Sequence, residues 1–234
     1  MATKPKKNQE YKEITYSSTH WNHLESLRNK ALPVMTALEA FHLKATVHGS
    51  IARGDTKQTS DVDIFISELQ NSFHIETALE KAKIPINTRF LVQATPNYAM
   101  KAHIQIDETT TITFPLMHMR RAEREFYQFG GELNLPQLKT RTRVIGVDKR
   151  LMLIEPTKKG HIESSIINQE EHVAKILHIS AETVYDRVHT LLKRERVGRT
   201  GVFVKKELPP DETFEGLLKK LAEANPAVRR RFNG

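Results

Sequence analysis

From Trp21 to about Phe41 the apolar residues Leu24, Leu27, Leu32, Met35, Leu38 and Phe41 return every three to five positions. That is the period of one face of an amphipathic helix. Pro33 falls inside the run, and its missing N–H predicts a strained or broken turn there. The period then changes. Ala45-Thr46-Val47 reads as a short strand that runs into a tight turn at Gly49-Ser50. Asp61-Val62-Asp63-Ile64-Phe65-Ile66 opens with alternating acidic and apolar residues, the mark of a strand. Ile75 to Ile84 reads as a helix stopped by Pro85. Arg89 to Ala94, Ala102 to Asp107 and Thr110 to Leu116 read as three strands, with a turn at Asp107 to Thr110 between the last two.

Residues 117–133 look helical and end near Gly130-Gly131. Residues 134–160 are mixed, with short strands at Val144-Ile145 and Leu151 to Ile154. After Gly160 the pattern is helical again. Asn168 to Leu177 reads as a short helix, and Asn168 with Glu171 has the spacing of a capping box. A turn at His178-Ile179-Ser180 leads to a second helix, Ala181 to Arg194. Gly198-Arg199-Thr200-Gly201 and a strand from Val202 to Lys205 follow. Glu215 to Ala224 forms a last helix, and the tail carries Arg229-Arg230-Arg231. Residues 1–18, with Lys4, Lys6 and Lys7 around Pro5, have little to bury and read as a flexible basic tail.

Composition narrows the function classes. The chain has 234 residues, enough for one or two domains with a real core. Lys and Arg total 36 against 28 Asp and Glu, a net charge of +8, so the surface favours polyanions such as nucleic acid. Cysteine is absent, which excludes disulfides, thiolate zinc sites and cysteine nucleophiles. No apolar run is long enough to span a membrane. Met1 to Tyr11 lacks the apolar core of a secretory signal. The expected location is the cytoplasm, with no membrane partner.

The chemistry concentrates in His48-Gly-Ser-Ile-Ala-Arg-Gly-Asp-Thr-Lys-Gln-Thr-Ser-Asp-Val-Asp63. A glycine at a strand end lets the backbone approach a phosphate, and a neighbouring hydroxyl helps hold its oxygens. Asp61 and Asp63, two apart on a strand, share one face. Such carboxylates repel unless a cation lies between them. Oxygen ligands favour Mg²⁺, shared with triphosphate oxygens. Two such ions, roughly 3.5–4 Å apart, stabilise the attacking and leaving oxygens of an in-line displacement.

This stretch resembles the signature of the DNA polymerase β-like nucleotidyltransferase superfamily, and within it the minimal nucleotidyltransferases. The resemblance is close over this stretch and loose over residues 20–120. It implies that Gly49 and Ser50 hold the triphosphate of an NTP, ATP among them, while Asp61 and Asp63 bind two Mg²⁺ ions. Arg53 and Ser60 match motif positions and join the nucleotide-binding set. Active members carry a third carboxylate on a later strand. Asp107 is the candidate here, with Glu108 beside it, although both also suit a hydrophilic hairpin turn. Thr111-Ile-Thr-Phe-Pro115, where some relatives carry an Asp, has none.

The helical unit further on resembles a winged helix-turn-helix, with Ala181 to Arg194 as recognition helix and Arg199-Thr200-Gly201 as wing tip. Between Val184 and Lys206, basic residues outnumber Asp186 and Glu195 by seven to two, a surface that meets phosphates. Arg187, His189, Arg194, Arg199 and Lys205 are the nucleic-acid candidates. A solvated basic face on a packing domain is the plainer alternative. Other residues carry less. His20 and His23 lie three apart on a helix with no third ligand, so surface histidines are the simpler reading. His48 and the aromatics of Phe126 to Phe129 suit packing. Asp148, Lys149 and Arg150 suit a turn.

The resulting expectation is an α/β (α+β) chain: a nucleotidyltransferase domain at 19–133 with a mixed sheet and flanking helices, a connecting region at 134–160, a winged helix at 161–208, and a C-terminal helix with basic tail at 209–234. Its activity would be Mg²⁺-dependent transfer of a nucleoside monophosphate from NTP to an acceptor, with nucleic acid, RNA or DNA, as partner. The rivals are a DNA-binding regulator whose nucleotidyltransferase domain only senses nucleotide, and a modifier of partner proteins.

Overall fold

The computed structural model describes Pro5 and residues 11–68, 71–198 and 201–233. Along the chain run β1 (Lys12–Thr15), α1 (Ser18–Glu39), β2 (Ala45–His48), α2 (Ser50–Arg53), β3 (Val62–Ile66), α3 (Ser72–Lys81), β4 (Thr88–Gln93), β5 (Lys101–Gln105) and β6 (Thr110–Pro115). Then come α4 (Arg121–Gly130), β7 (Glu132–Asn134), α5 (Leu135–Lys139), β8 (Gly146–Val147), β9 (Met152–Thr157), β10 (Gly160–Ser165), α6 (Glu170–Leu177), α7 (Ala181–Val197), β11 (Val204–Glu207), α8 (Phe214–Ala224) and α9 (Pro226–Asn233). Parallel and antiparallel strand pairs occur together with helices, so the chain is mixed α/β. No described helix is long and apolar enough to cross a membrane.

Contacts divide the chain into two units that interleave in sequence. The first holds residues 1–29, 47–60 and 124–200, and the second holds 30–46, 61–123 and 201–234. The cuts pass through α1, β2 and α4. Helix α1 is continuous despite Pro33. Leu27 and Ala31 before the proline, and Val34, Met35 and Leu38 after it, are all buried. Burial of this face on both sides of Pro33 outweighs the lost backbone hydrogen bond.

In the first unit, an antiparallel sheet runs in the order β1-β10-β9-β8. The expected loose tail at 1–18 therefore includes a strand: Lys12 to Thr15 pairs with Glu163 to Gly160. Its partner is far away in sequence, so no local pattern announces it. Beside this sheet a core joins Leu151, Leu153 and Ile166 with Val173, Ile179, Val184 and Val188 of the α6–α7 pair. The expected cap at Asn168 does not form. Asn168 has a positive φ of 65°, and the N-cap position falls on Gln169 without a side-chain bond. Asn134 and Gln137 form the capping box instead, at α5.

Helix α7 is held at its N-terminus by Glu125, a buried carboxylate on α4. One of its oxygens accepts from Ser180 N at 3.1 Å, from Thr183 Oγ1 at 2.6 Å and from the Ser180 hydroxyl. A carboxylate at a helix N-terminus also meets the positive end of the helix dipole. Glu125→Ala strips three donors of their acceptor and is expected to cost roughly 3 kcal/mol. Urea unfolding checks this, and a loss below about 1 kcal/mol would dismiss the anchoring role.

In the second unit the strands run β11-β4-β5-β6-β3, with β2 next to β3. Strand β3 is parallel to β6, while the β6-β5, β5-β4 and β4-β11 pairs are antiparallel. Val62, Ile64, Ile104, Ile112 and Phe114 are buried, and Phe114 meets Phe214 of α8 edge-on at 5.4 Å. The expected wing is corrected here. The strand after α7 makes no hairpin of its own among the described residues. Val204 to Glu207 instead pairs with Gln93 to Phe90 at the edge of this sheet. An unpaired β4 edge offers backbone hydrogen bonds that an isolated hairpin tip would not. Arg199, placed at the wing tip from sequence, lies outside the described residues.

Candidate functional site

The Gly49-Ser50 turn, expected from sequence to hold phosphate, belongs to the first unit. After β2 the chain turns at Gly49 with φ of 78°, a region favouring glycine. A Cβ at Gly49 would meet nothing within 4 Å, so space is open over this backbone. Behind the turn the packing is tight. Gly49 N donates to Gly131 O at 2.9 Å, and a Cβ on Gly146 would come within 2.6 Å of Gly131 N. The short helix α2 ends at Gly54, also left-handed at φ 104°. Arg28 donates to the carbonyl of Ile51 (3.2 and 3.0 Å) and to that of Thr142 (2.8 Å). Burial first, and then the nearby Arg143 charge, lower its pKa to about 10.

His20 and His23 hold the loop that follows. His20 Nε2 donates to Gly54 O at 2.7 Å and His23 Nε2 to Lys57 O at 2.8 Å. Their spacing on α1 serves backbone carbonyls. Ser60 closes the same loop, its hydroxyl accepting from Lys57 N at 2.9 Å and from the Ser50 hydroxyl at 3.1 Å. The motif serines are thus joined to each other.

Arg53 points the other way. It is 5% exposed. Its guanidinium forks onto Asp55 with two contacts of 3.0 Å and donates to Gly130 O at 2.6 Å. Expected as a nucleotide contact, it is instead committed to protein acceptors and ties the turn to the Gly130-Gly131 corner.

Asp61 and Asp63 lie in the second unit at the start of β3, Asp61 exposed and Asp63 half-buried. Register defines what surrounds Asp63. Thr111 stands beside it on β6, Gln105 beside Thr111 on β5, and Thr88 beside Gln105 on β4. Partners in register share a face, so the row reads Asp63–Thr111–Gln105–Thr88. Thr88 Oγ1 donates to Gln105 Oε1 at 2.9 Å. The neighbour of Asp63 on β6 is therefore a threonine and not a carboxylate.

Asp107 is corrected accordingly. It lies past the end of β5, in the turn to β6. It accepts from Thr109 N (2.8 Å), Thr109 Oγ1 (2.9 Å), Thr110 N (2.8 Å) and Thr110 Oγ1 (3.1 Å). Partial burial alone would raise its pKa, but the bonds from Thr109 and Thr110 and the charge of Lys30 hold it below the usual carboxylate range. Among the described residues no group of three or more His, Asp or Glu side chains gathers where a metal ion would sit.

Further along the same sheet face lie two residues that sequence reading did not single out, Lys101 and His103. Strand parity with Gln105 was the available signal. His103 is in register with Thr113 and Phe90. Thr113 Oγ1 lies 3.0 Å from His103 Nδ1, and the Phe90 ring stacks on the imidazole at 4.9 Å. Burial, reinforced by the Lys101 and Lys205 charges, lowers the His103 pKa to about 4. Burial also brings Lys101 down to about 8.

The unfolded chain binds a proton at His103 near pH 6.5, and the folded chain only near pH 4. Stability is therefore fully present at neutral pH and lost as pH falls through that window, by on the order of 3 kcal/mol. Urea unfolding at pH 7 and near pH 4 is expected to show the loss in the native chain. It should be reduced in His103→Gln. An identical pH dependence in the variant would refute the assignment.

Helix α7 carries the remaining candidates. Arg187 is half-buried and sits 4.8 Å over the Phe126 ring, so it packs rather than reaching outward. His189 and Arg194 are exposed, as are Lys193 and Arg196. Lys205, on β11, lies 5.2 Å over the Phe90 ring. His48 packs edge-on against Tyr127 at 4.8 Å, and Asp148 closes a turn by accepting from Arg150 N at 2.7 Å.

Residues 30–121 match the model of the nucleotidyltransferase domain, and the mixed sheet is consistent with that fold. The match supports nucleotidyl transfer as the general activity. A search of curated proteins gives no match to the chain.

Proposed function

With residues 30–121 matched to a nucleotidyltransferase domain, we propose that the chain moves a nucleoside monophosphate from an NTP to the hydroxyl of a nucleic acid. The carrying observation is the pair Asp61 and Asp63, accessible on one face at the head of β3 inside the matched segment. Two carboxylates fit Mg²⁺, which keeps water ligands and shares phosphate oxygens with its substrate. Asp61 and Asp63 are the residues to hold it. Bound there, Mg²⁺ supplies charge stabilisation for the phosphates and for the attacking and leaving oxygens.

Gly49 and Ser50 are assigned to the triphosphate, with Ser60 fixing the Ser50 hydroxyl. The acceptor oxygen forms a bond to the α-phosphorus. The bond to the bridging oxygen breaks and pyrophosphate leaves. With Thr111 and Gln105 in the row beside Asp63, the acceptor proton goes to water rather than to a third carboxylate. The exposed basic end of α7, with His189, Arg194 and neighbours, supports nucleic acid as the partner through phosphate contacts.

That same row favours one other reading, a nucleic-acid-binding regulator that senses nucleotide without turnover. Incubation with Mg²⁺, each α-labelled NTP in turn, and cellular RNA, DNA and protein as acceptors separates the two. Label in RNA or DNA, lost in the Asp61→Ala/Asp63→Ala variant, supports the proposal. Label in protein replaces nucleic acid with a protein acceptor. No label despite NTP binding favours the sensor.

A further inference from the structure

A cavity of about 480 Å³ lies in the second unit, between the loop after β4, the loop after β6, and α9. Arg120, Arg230, Arg231 and His118 line it together with the apolar surfaces of Pro96 and Met119. Arg231 builds the wall. It donates from Nε to Asn97 O at 3.2 Å and from Nη2 to His118 O. Its nearest carboxylate is Glu123 at 3.6 Å. That carboxylate is already engaged, accepting from Ala99 N at 2.7 Å and Arg120 N at 3.1 Å. The Arg120 and Arg230 side chains are exposed and have no ion-pair or hydrogen-bond partner among the described residues. Three guanidinium groups thus face one cavity against a single occupied carboxylate.

This place is separate from Asp63. Strands β3 and β6 are parallel, and Asp63 is in register with Thr111 near the start of β6. His118 to Arg120 follow the far end of β6, after Pro115. The cavity therefore lies beyond the opposite end of the sheet from the motif carboxylates.

We propose that this cavity is a second anion site that receives the phosphate of a nucleotide unit. Guanidinium forks match phosphate oxygens in pairs. The size is that of a small-molecule site, much larger than a bare phosphate needs. Pro96 and Met119 provide apolar surface for a base or sugar. The unit comes either from a strand lying across the protein or from a free nucleotide, and one experiment tells these apart.

The full chain carrying Asp61→Ala/Asp63→Ala is used throughout, without Mg²⁺, so that transfer and metal-held NTP do not contribute. Fluorescence anisotropy reads a 5′-labelled single-stranded RNA, and equilibrium dialysis reads labelled ATP. Arg120→Ala/Arg230→Ala is added. A strand-binding site predicts about tenfold weaker RNA binding and a salt slope shallower by about 1.4, two phosphate contacts at about 0.7 each. A free-nucleotide site predicts a similar loss for ATP alone. Unchanged binding in both arms overturns the proposal. So does a loss confined to sedimentation with anionic phospholipid vesicles, which would make the patch a lipid contact. Arg120→Lys/Arg230→Lys keeps the charge without the fork and should give a smaller loss in the same arm. It also serves as the second variant if the alanine pair does not fold. Because binding is read without turnover, failure here leaves the transfer reading intact, and failure of transfer leaves this site intact.

Discussion

Asp61→Ala or Asp63→Ala is expected to lower label transfer by about a thousandfold or more while leaving the chain folded. The reasoning has two parts. Each carboxylate is assigned to hold positive charge against the phosphates, and such electrostatic stabilisation acts where charge moves in the reaction. Neither is part of the core. Asp61, just before β3, is exposed and Asp63, near its start, is half-buried, while Val62, Ile64, Phe65 and Ile66 of the same strand are buried. Removing one carboxylate also relieves repulsion with its neighbour. A variant that keeps its rate refutes the assignment. A variant that loses rate only by unfolding moves these residues from the reaction to the fold.

Arg53→Met is expected to be the most destabilising single change in the Gly49–Asp55 turn, costing roughly 3–5 kcal/mol. Arg53 and Asp55 are 6% and 10% exposed at their side chains. Methionine would leave the Asp55 carboxylate buried without its partner and the Gly130 carbonyl without its donor. Arg53→Lys should recover only part of the loss, because an ammonium cannot reproduce a planar fork. Arg53→Met/Asp55→Leu should recover more, since it removes the stranded charge. Urea unfolding measures all three. If Arg53→Met kept its stability but lost NTP binding, Arg53 would be a ligand contact after all.

These two predictions separate what a motif carries from what a fold requires. Gly49, Ser50, Asp61 and Asp63 are proposed from the sequence because the signal for each is local. A strand parity puts two carboxylates on one face, and a glycine licenses one backbone turn. Arg53 stands in the same motif, yet its partners include the carbonyl of Gly130, which no spacing rule reaches. Asp107 failed for a related reason. The strand expected to run from Ala102 to Asp107 ends at Gln105, and Asp107 bonds to Thr109 and Thr110 instead.

Periodicity by itself determined most of the elements: α1, β2 to β6, and the α6–α7 pair all arise from apolar residues recurring at helical or strand spacing. Composition determined the positive surface and the absence of thiol chemistry. Only the tertiary structure decided where edges pair. Strand β1 joins β10, and β11 joins β4 in place of a wing. Backbone hydrogen bonds between strands carry no side-chain signature, so sequence is silent about them. Burial made the remaining decisions. It kept α1 whole through Pro33, turned Arg187 onto Phe126 and lowered the pKa of His103, while strand register set Thr111 beside Asp63. Each of these depends on which distant residues share a face, and that is a property of the packed chain.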